Sequence, residues 1–145
     1  MKWALELEAE FREDLYYEDT HAWLKVEGDL ARIGVDDVAQ RAAGRIIYVN
    51  PLRPGAHVLR GKPLVSLESR KWVGFVNAPI TGVVVEVNEE VLRRPSLINE
   101  DPYGKGWIVL VKPSNLEEDL AHLRKGEEAR EWFMNEVRKL LRKVT

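Results

Sequence analysis

In Leu64-Val65-Ser66-Leu67-Glu68-Ser69-Arg70-Lys71-Trp72-Val73-Gly74-Phe75-Val76-Asn77-Ala78-Pro79-Ile80, two apolar runs flank a polar centre. Short apolar runs on either side of a polar break read as a β-hairpin, and Lys71 falls at its turn. A lysine there holds a primary amine out from a stiff platform, a geometry suited to covalent loading with a carrier group. By position alone, a charged side chain on a turn is ordinarily a solvated surface residue. The rest of the chain decides between the two.

A repeat surrounds this hairpin. Gly44-Arg45-Ile46-Ile47-Tyr48-Val49-Asn50 resembles Gly82-Val83-Val84-Val85-Glu86-Val87-Asn88. Each copy is followed by a loop and a second run that opens on Gly-Lys: Gly61-Lys62-Pro63-Leu64-Val65 in the first, Gly104-Lys105-Gly106-Trp107-Ile108-Val109 in the second. Two copies of one β unit predict two similar sheets face to face, with Lys71 in the segment that joins them.

Upstream, Ala22-Trp23-Leu24-Lys25-Val26, the turn Glu27-Gly28-Asp29 and Leu30-Ala31-Arg32-Ile33-Gly34-Val35 read as strand, turn and strand. A short helix follows, capped by Asp36 or Asp37 and ended by Gly44. Residues 1–14, with Trp3, Leu7 and Phe11 four apart, read as a short amphipathic helix or arm that packs on the domain.

Downstream, Pro113 closes the β region. Ser114-Asn115-Leu116-Glu117 has the form of a capping box. Leu116, Leu120 and Leu123 make a helical stripe that Gly126 breaks. A second helix from near Glu127 places Trp132, Phe133, Val137, Leu140, Leu141 and Val144 on one side. Its basic end (Arg138, Lys139, Arg142 and Lys143) complements the helix dipole and reads as a solvated face. The expectation is a single, mainly β domain over 1–145, with 1–14 as an N-terminal extension and 114–145 as a helical segment.

Composition narrows the function. A chain of 145 residues, 45% apolar, fits one domain with a real core. A net charge of −2 gives no global field for nucleic acid or an anionic membrane. Without cysteine there are no disulfides or thiolate metal sites. His21, His57 and His122 lack ligand spacing, so no metal is expected. No apolar stretch is long enough to span a bilayer. The Glu-rich N-terminus lacks transit-peptide character, and the expected location is cytoplasmic. A charged fraction of 32% with 2 Met and no Cys suits a hot environment. The chain has no phosphate-binding Gly-rich loop and no nucleophile elbow. Glu89-Glu90 and Glu127-Glu128 read as solvent-facing pairs. Chemistry is therefore expected from an attached group or a partner, not from this chain as an enzyme.

Five motifs carry a resemblance. Thr20-His21-Ala22-Trp23 resembles an x-His-Glu-Trp opening. Gly34-Val35-Asp36-Asp37-Val38-Ala39-Gln40 resembles a Gly-Ile-Thr-x-x-Ala-Gln helix start. Leu67-Glu68-Ser69-Arg70-Lys71 resembles a Val-Glu-Ser-Val-Lys turn. Ala78 through Asn88 and Asn99-Glu100-Asp101-Pro102-Tyr103-Gly104-Lys105-Gly106-Trp107 complete the set, and the last motif is long and specific. Together, over about residues 15–135, they resemble the H protein of the glycine cleavage system, a lipoyl carrier. A biotin carrier would place Met on both sides of its lysine, where this chain has Arg70 and Trp72.

The resemblance implies a lipoyl-domain-like barrel-sandwich hybrid of two antiparallel sheets, with C-terminal helices. It implies lipoate amide-linked to Lys71, with Glu68 and Ser69 fixing the lipoylation turn or contacting the attaching enzyme. The partners it implies are glycine decarboxylase, aminomethyltransferase and dihydrolipoamide dehydrogenase. A lipoate ligase or a lipoyl/octanoyl transferase would dock at the hairpin. Tethering raises the local concentration of the swinging arm at each docked partner. His21 and Trp23 read as packing residues, and Gly104 and Gly106 as turn residues.

Two departures stand out. A protonated amine in a cleft wants carboxylate or carbonyl acceptors. The family offers the Glu of His-Glu-Trp and the Asp of Lys-x-x-Ser-Asp. Here those positions are Ala22 and Phe75, the preceding Ser is Gly74, and Trp72 stands where Ala is usual. The expectation is an altered, apolar cargo cleft of Ala22, Gly74 and Phe75. That suits an H-like paralogue outside glycine cleavage, such as the lipoate-binding carriers of bacterial sulfur oxidation that serve a heterodisulfide-reductase-like complex. In the contrary reading Glu68, Glu18 or Asp19 takes over the amine. A reading of another class is an unmodified scaffold with Arg70 and Trp72 as a protein-contact patch.

Overall fold

The computed structural model describes residues 9–144. The strands are β1 (Tyr16–Tyr17), β2 (Ala22–Glu27), β3 (Leu30–Val35), β4 (Ile46–Pro51), β5 (His57–Val58), β6 (Pro63–Ser69), β7 (Val73–Asn77), β8 (Gly82–Val87) and β9 (Val109–Pro113). The helices are α1 (Asp37–Ala43), α2 (Glu89–Arg93), α3 (Leu97–Glu100), α4 (Leu116–Leu120) and α5 (Gly126–Val144). One sheet has the order β1-β2-β3-β9-β8-β5 and the other β4-β6-β7. All pairings in both are antiparallel. This is the two-sheet, mainly β fold with C-terminal helices that the sequence predicts.

The repeat divides between the sheets. The first copy supplies β4 and β6 to the smaller sheet, and the second supplies β8 and β9 to the larger. Both carry a register shift at the same repeat position, between Ile46 and Tyr48 and between Val84 and Glu86. The residues at the shift, Ile47 and Val85, are both exposed. A bulge adds one residue to one strand and bends it, so both sheets curve at matching places. In the second copy the strand begins only at Val109; Pro102–Gly106 is a turn. An added Cβ at Gly106 would lie 2.7 Å from the Asp101 and Leu97 carbonyl oxygens. Gly104 and Gly106 therefore serve close approach, without a positive φ.

The main core lies between the sheets and includes Leu24, Ile33, Val49, Leu67, Val76 and Val111. A second cluster packs Tyr17 and Trp23 under Ala129, Phe133 and Val137 of α5. Strand β2 is consequently buried on both faces over Ala22–Leu24. The Trp23 indole N–H donates to Pro102 O at 3.0 Å. A Cβ at Gly34, its cross-strand partner, would fall 2.7 Å from the indole ring. Only glycine lets the ring lie flat there.

Local expectations fare unevenly. Asp36 caps α1 by accepting from Ala39 N–H, and Gly44 ends it at φ 78°. The Ser114 capping box does not form: Asn115 holds the cap position of α4 with no side-chain bond, and Ser114 N–H donates to Thr81 O. The helix expected through Leu123 is shorter, since α4 ends at Leu120, but Leu116, Leu120 and Leu123 all pack on the main core. Helices α2 and α3 interrupt what reads as continuous β sequence. Asn88 caps α2 by accepting from Glu90 N–H, a signal present in Asn88-Glu89-Glu90.

Trp3 and Leu7 of the expected N-terminal helix lie outside the described residues. Residues 9–14 form no helix. They run as a strap: Glu10 N–H donates to Asp37 Oδ2, Tyr103 Oη donates to Glu10 O, and Phe11 stacks on Tyr17 at 5.1 Å.

His21 ties three elements together. Its Nδ1 lies 2.8 Å from Asp36 Oδ2, its Nε2 lies 2.9 Å from Glu136 Oε1, and its ring packs on Trp132. Burial alone would lower its pKa. The Asp36 charge and hydrogen bond, joined by those of Glu136, outweigh burial and raise it to about 9. The folded state thus holds a proton that the unfolded chain releases near pH 6.5. The stability this contributes is fully present below pH 6.5 and is lost as pH rises through about 9. Its size is on the order of 3 kcal/mol. Denaturant titrations across that window should show the loss in the wild type and a flat profile in His21→Gln.

Candidate functional site

Strands β6 and β7 form the expected hairpin, with Glu68 opposite Val73. Ser69 N–H donates to Trp72 O at 2.8 Å and closes the turn. Arg70 and Lys71 occupy its two central positions, both exposed. The amine of Lys71 thus projects from a turn pinned by one backbone bond and a cross-strand ladder.

Alternation sets the two faces of this small sheet. Leu67 and Val76 turn inward and are buried. Glu68, Val73 and Phe75 turn outward, where Tyr48 stands opposite Glu68. Glu68 is half-buried in that row. Ser69 is buried, and among the described residues its Oγ has no hydrogen-bond partner.

The three residues of the expected cargo cleft are not brought together. Ala22 is 0% exposed, sealed in the core between the sheets, whereas Phe75 is 62% exposed on the outer face. Phe75 follows strand alternation outward, and Ala22 follows it inward. Gly74 is coupled to Trp72 instead. A Cβ at Gly74 would lie 2.1 Å from Trp72 Cζ2, so the indole lies across the bare glycine backbone. The two substitutions form one packing unit.

Of the three substitute carboxylates, Glu18 and Asp19 are engaged elsewhere. Glu18 accepts from Thr20 Oγ1 at 2.5 Å and from Thr20 N–H at 2.8 Å. Burial pushes its carboxyl pKa up, against those hydrogen bonds. Thr20 Oγ1 in turn accepts from Asn77 N–H at the end of β7. Asp19 pairs with Arg124. Glu68 faces the outer side of the sheet.

On the other side of the turn lies an open hollow of about 690 Å³, lined by Gly44, Arg45, Ile47, Ser69, Arg70 and Lys71 together with Ala43. Among the described residues, no carboxylate lines it. A second hollow of about 680 Å³ continues past Ile47 toward Arg53 and Arg93. Arg45 carries no motif, and its place here depends on the chain turning at Gly44 and on β4 pairing with β6. No sequence signal points to it.

Among the described residues, no helix is long and apolar enough to cross a membrane.

Comparison with known proteins places these features. Residues 15–136 match the family described as glycine cleavage H-protein. The chain is 52% identical to glycine cleavage system H protein 2 of Aquifex aeolicus over 80% of this chain and 73% of that protein. It is 43% identical to the probable glycine cleavage system H protein 2 of Sulfolobus acidocaldarius over 86% of each chain. A solved glycine cleavage system H protein from Mycobacterium marinum superposes with a TM-score of 0.69 at 34% identity, covering 72% of this chain and 87% of that one. With the two-sheet fold, the pinned lysine turn and a match spanning nearly the whole domain, this chain belongs to the glycine cleavage H-protein family.

Proposed function

We propose that this chain is a non-catalytic, cytoplasmic lipoyl shuttle, with lipoate joined as an amide to Lys71. The observation that carries the reading is Lys71 itself: an exposed amine at the centre of a turn closed by the Ser69–Trp72 bond. The residues present fit such a group, because the amine is unobstructed and the ladder beneath it fixes one approach. When attached, lipoate supplies a dithiolane that exchanges with thiols and carries a group between partners. Glu68 and Ser69 frame the turn that a lipoate ligase or lipoyl/octanoyl transferase must grip. In the family's usual setting the further partners are glycine decarboxylase, aminomethyltransferase and dihydrolipoamide dehydrogenase. Co-expression with a lipoate ligase, followed by intact mass, is expected to show one lipoyl increment. A mass unchanged under conditions that load a known carrier would leave the unmodified scaffold, with Arg70 and Trp72 as its contact patch.

A second reading concerns the cargo, and particular residues favour it. Trp72 on Gly74, exposed Phe75 and buried Ala22 put no carboxylate at the positions where the resemblance implies one, Glu18 and Asp19 are already engaged, and Glu68 is left as the one candidate acceptor on the outer face. On this reading the chain shuttles a sulfur cargo to a heterodisulfide-reductase-like complex.

A further inference from the structure

We infer that the hollow beside Lys71 seats an oxyanion carried at the end of the Lys71 arm; this rests on the shuttle reading above. Arg45 and Arg70 both line the hollow. Among the described residues neither makes an ion pair or a side-chain hydrogen bond, in contrast to Arg32, Arg60, Arg94 and Arg124, which are all paired. Two unpaired guanidiniums facing one concavity repel an ammonium and favour a compact anion with several acceptor oxygens, which planar N–H forks match well.

Solvated arginines are common on surfaces, and these two alone would carry nothing. The second observation is the Ser69 hydroxyl. It lines the same hollow and is removed from solvent, yet among the described residues it lacks a partner. Buried polar groups are nearly always satisfied, and an orphan donor calls for an acceptor. Ile47 supplies an apolar wall for the methylenes of an arm. A tether rooted at the rim raises the local concentration of whatever its tip bears. The ligand class is a sulfonate-, carboxylate- or phosphate-like group. A free anion offers the same chemistry, so the test separates the two sources.

The first arm of the test titrates nitrogen-labelled, unmodified protein with methanesulfonate and follows amide shifts. Shifts are expected at Gly44, Arg45, Ser69 and Arg70, with binding weakened at least ~10-fold in Arg45→Gln/Arg70→Gln. Ser69→Ala should melt at a higher temperature, having lost an unpaired buried hydroxyl, yet bind the probe about 5-fold more weakly. A purely structural Ser69 would move the melting alone, and that result would remove it from the site.

The second arm uses lipoylated protein treated with sulfite. The sulfite sulfur attacks one dithiolane sulfur, the ring S–S bond breaks, a new S–S bond to the sulfonate forms, and the second sulfur leaves as thiolate. The anionic arm tip is expected to shift the same amides in the wild type and not in the double variant. Free methanesulfonate binding with no response to the S-sulfonated arm would overturn the arm-borne assignment. No response to either probe would overturn the site altogether. Failure of lipoylation itself is read separately by mass, so it sinks the shuttle while the first arm still reports on the hollow.

Discussion

Lys71→Arg is expected to abolish lipoyl loading, by at least ~100-fold in the fraction modified, while leaving the fold intact. Attachment needs the lysine nitrogen to shed its protons and attack an activated carbonyl. A guanidinium stays protonated at any physiological pH and spreads its lone pair over the whole group, so it does not acylate. The substitution keeps the positive charge and the long stem. Lys71 is exposed at the turn, and the bond that closes the turn is made by the backbone of Ser69 and Trp72. Stability should therefore change by no more than about 0.5 kcal/mol, as for other surface positions. Intact mass after co-expression with a lipoate ligase reads the first effect, and denaturant titration the second. Lys62, which immediately precedes β6 and lies nine residues before Lys71, gives the control: Lys62→Arg should load normally. A full lipoyl increment in Lys71→Arg would move the attachment point elsewhere and end the case for this hairpin.

How far the sequence reached depended on the range of the interaction involved. The Lys71 hairpin, the Asp36 cap and the leucine stripe of α4 rest on neighbours in sequence, and periodicity and turn chemistry expose them. The repeat was legible for the same reason, and the matching bulges at Ile47 and Val85 give it a physical meaning that composition lacks. What escaped depends on distant partners. His21 meets Glu136 across 115 positions, and no local pattern announces such a contact. The Ser114 box failed because its amide is drawn to Thr81 from another part of the chain. Ala22 and Phe75 read in the sequence as departures at one cleft, but strand alternation buries Ala22 in the core and leaves Phe75 exposed. The Arg45 side of the hollow had no motif at all, because it is assembled only when β4 pairs with β6 beside the turn.

Lipoylated wild-type protein is expected to accept the one-carbon amine from glycine poorly, and a Trp72→Ala/Gly74→Ser/Phe75→Asp variant to accept it about 10–100-fold better. The cargo ends in an ammonium, which needs a carboxylate in reach when it leaves water. One charge-assisted hydrogen bond contributes about 1.5–3 kcal/mol, and each 1.4 kcal/mol is about tenfold, which sets the expected range. The three substitutions must be made together. Gly74→Ser alone would drive its Cβ to 2.1 Å from the Trp72 ring, so the indole has to be removed first. Phe75→Asp places the carboxylate at an exposed position that tolerates charge. Restoring Glu at Ala22 is the wrong repair, because that side chain is sealed in the apolar core and a buried carboxylate there would cost several kcal/mol, on the order of the penalty for an unpaired charge. The assay supplies glycine decarboxylase and labelled glycine and counts label on the protein. Wild-type loading as fast as that of the triple variant would show that Trp72, Gly74 and Phe75 do not select the cargo, and would return this chain to ordinary glycine cleavage. Slow loading in the wild type with recovery in the variant would locate the choice of cargo in the few residues that follow Lys71, on the same hairpin that carries the arm.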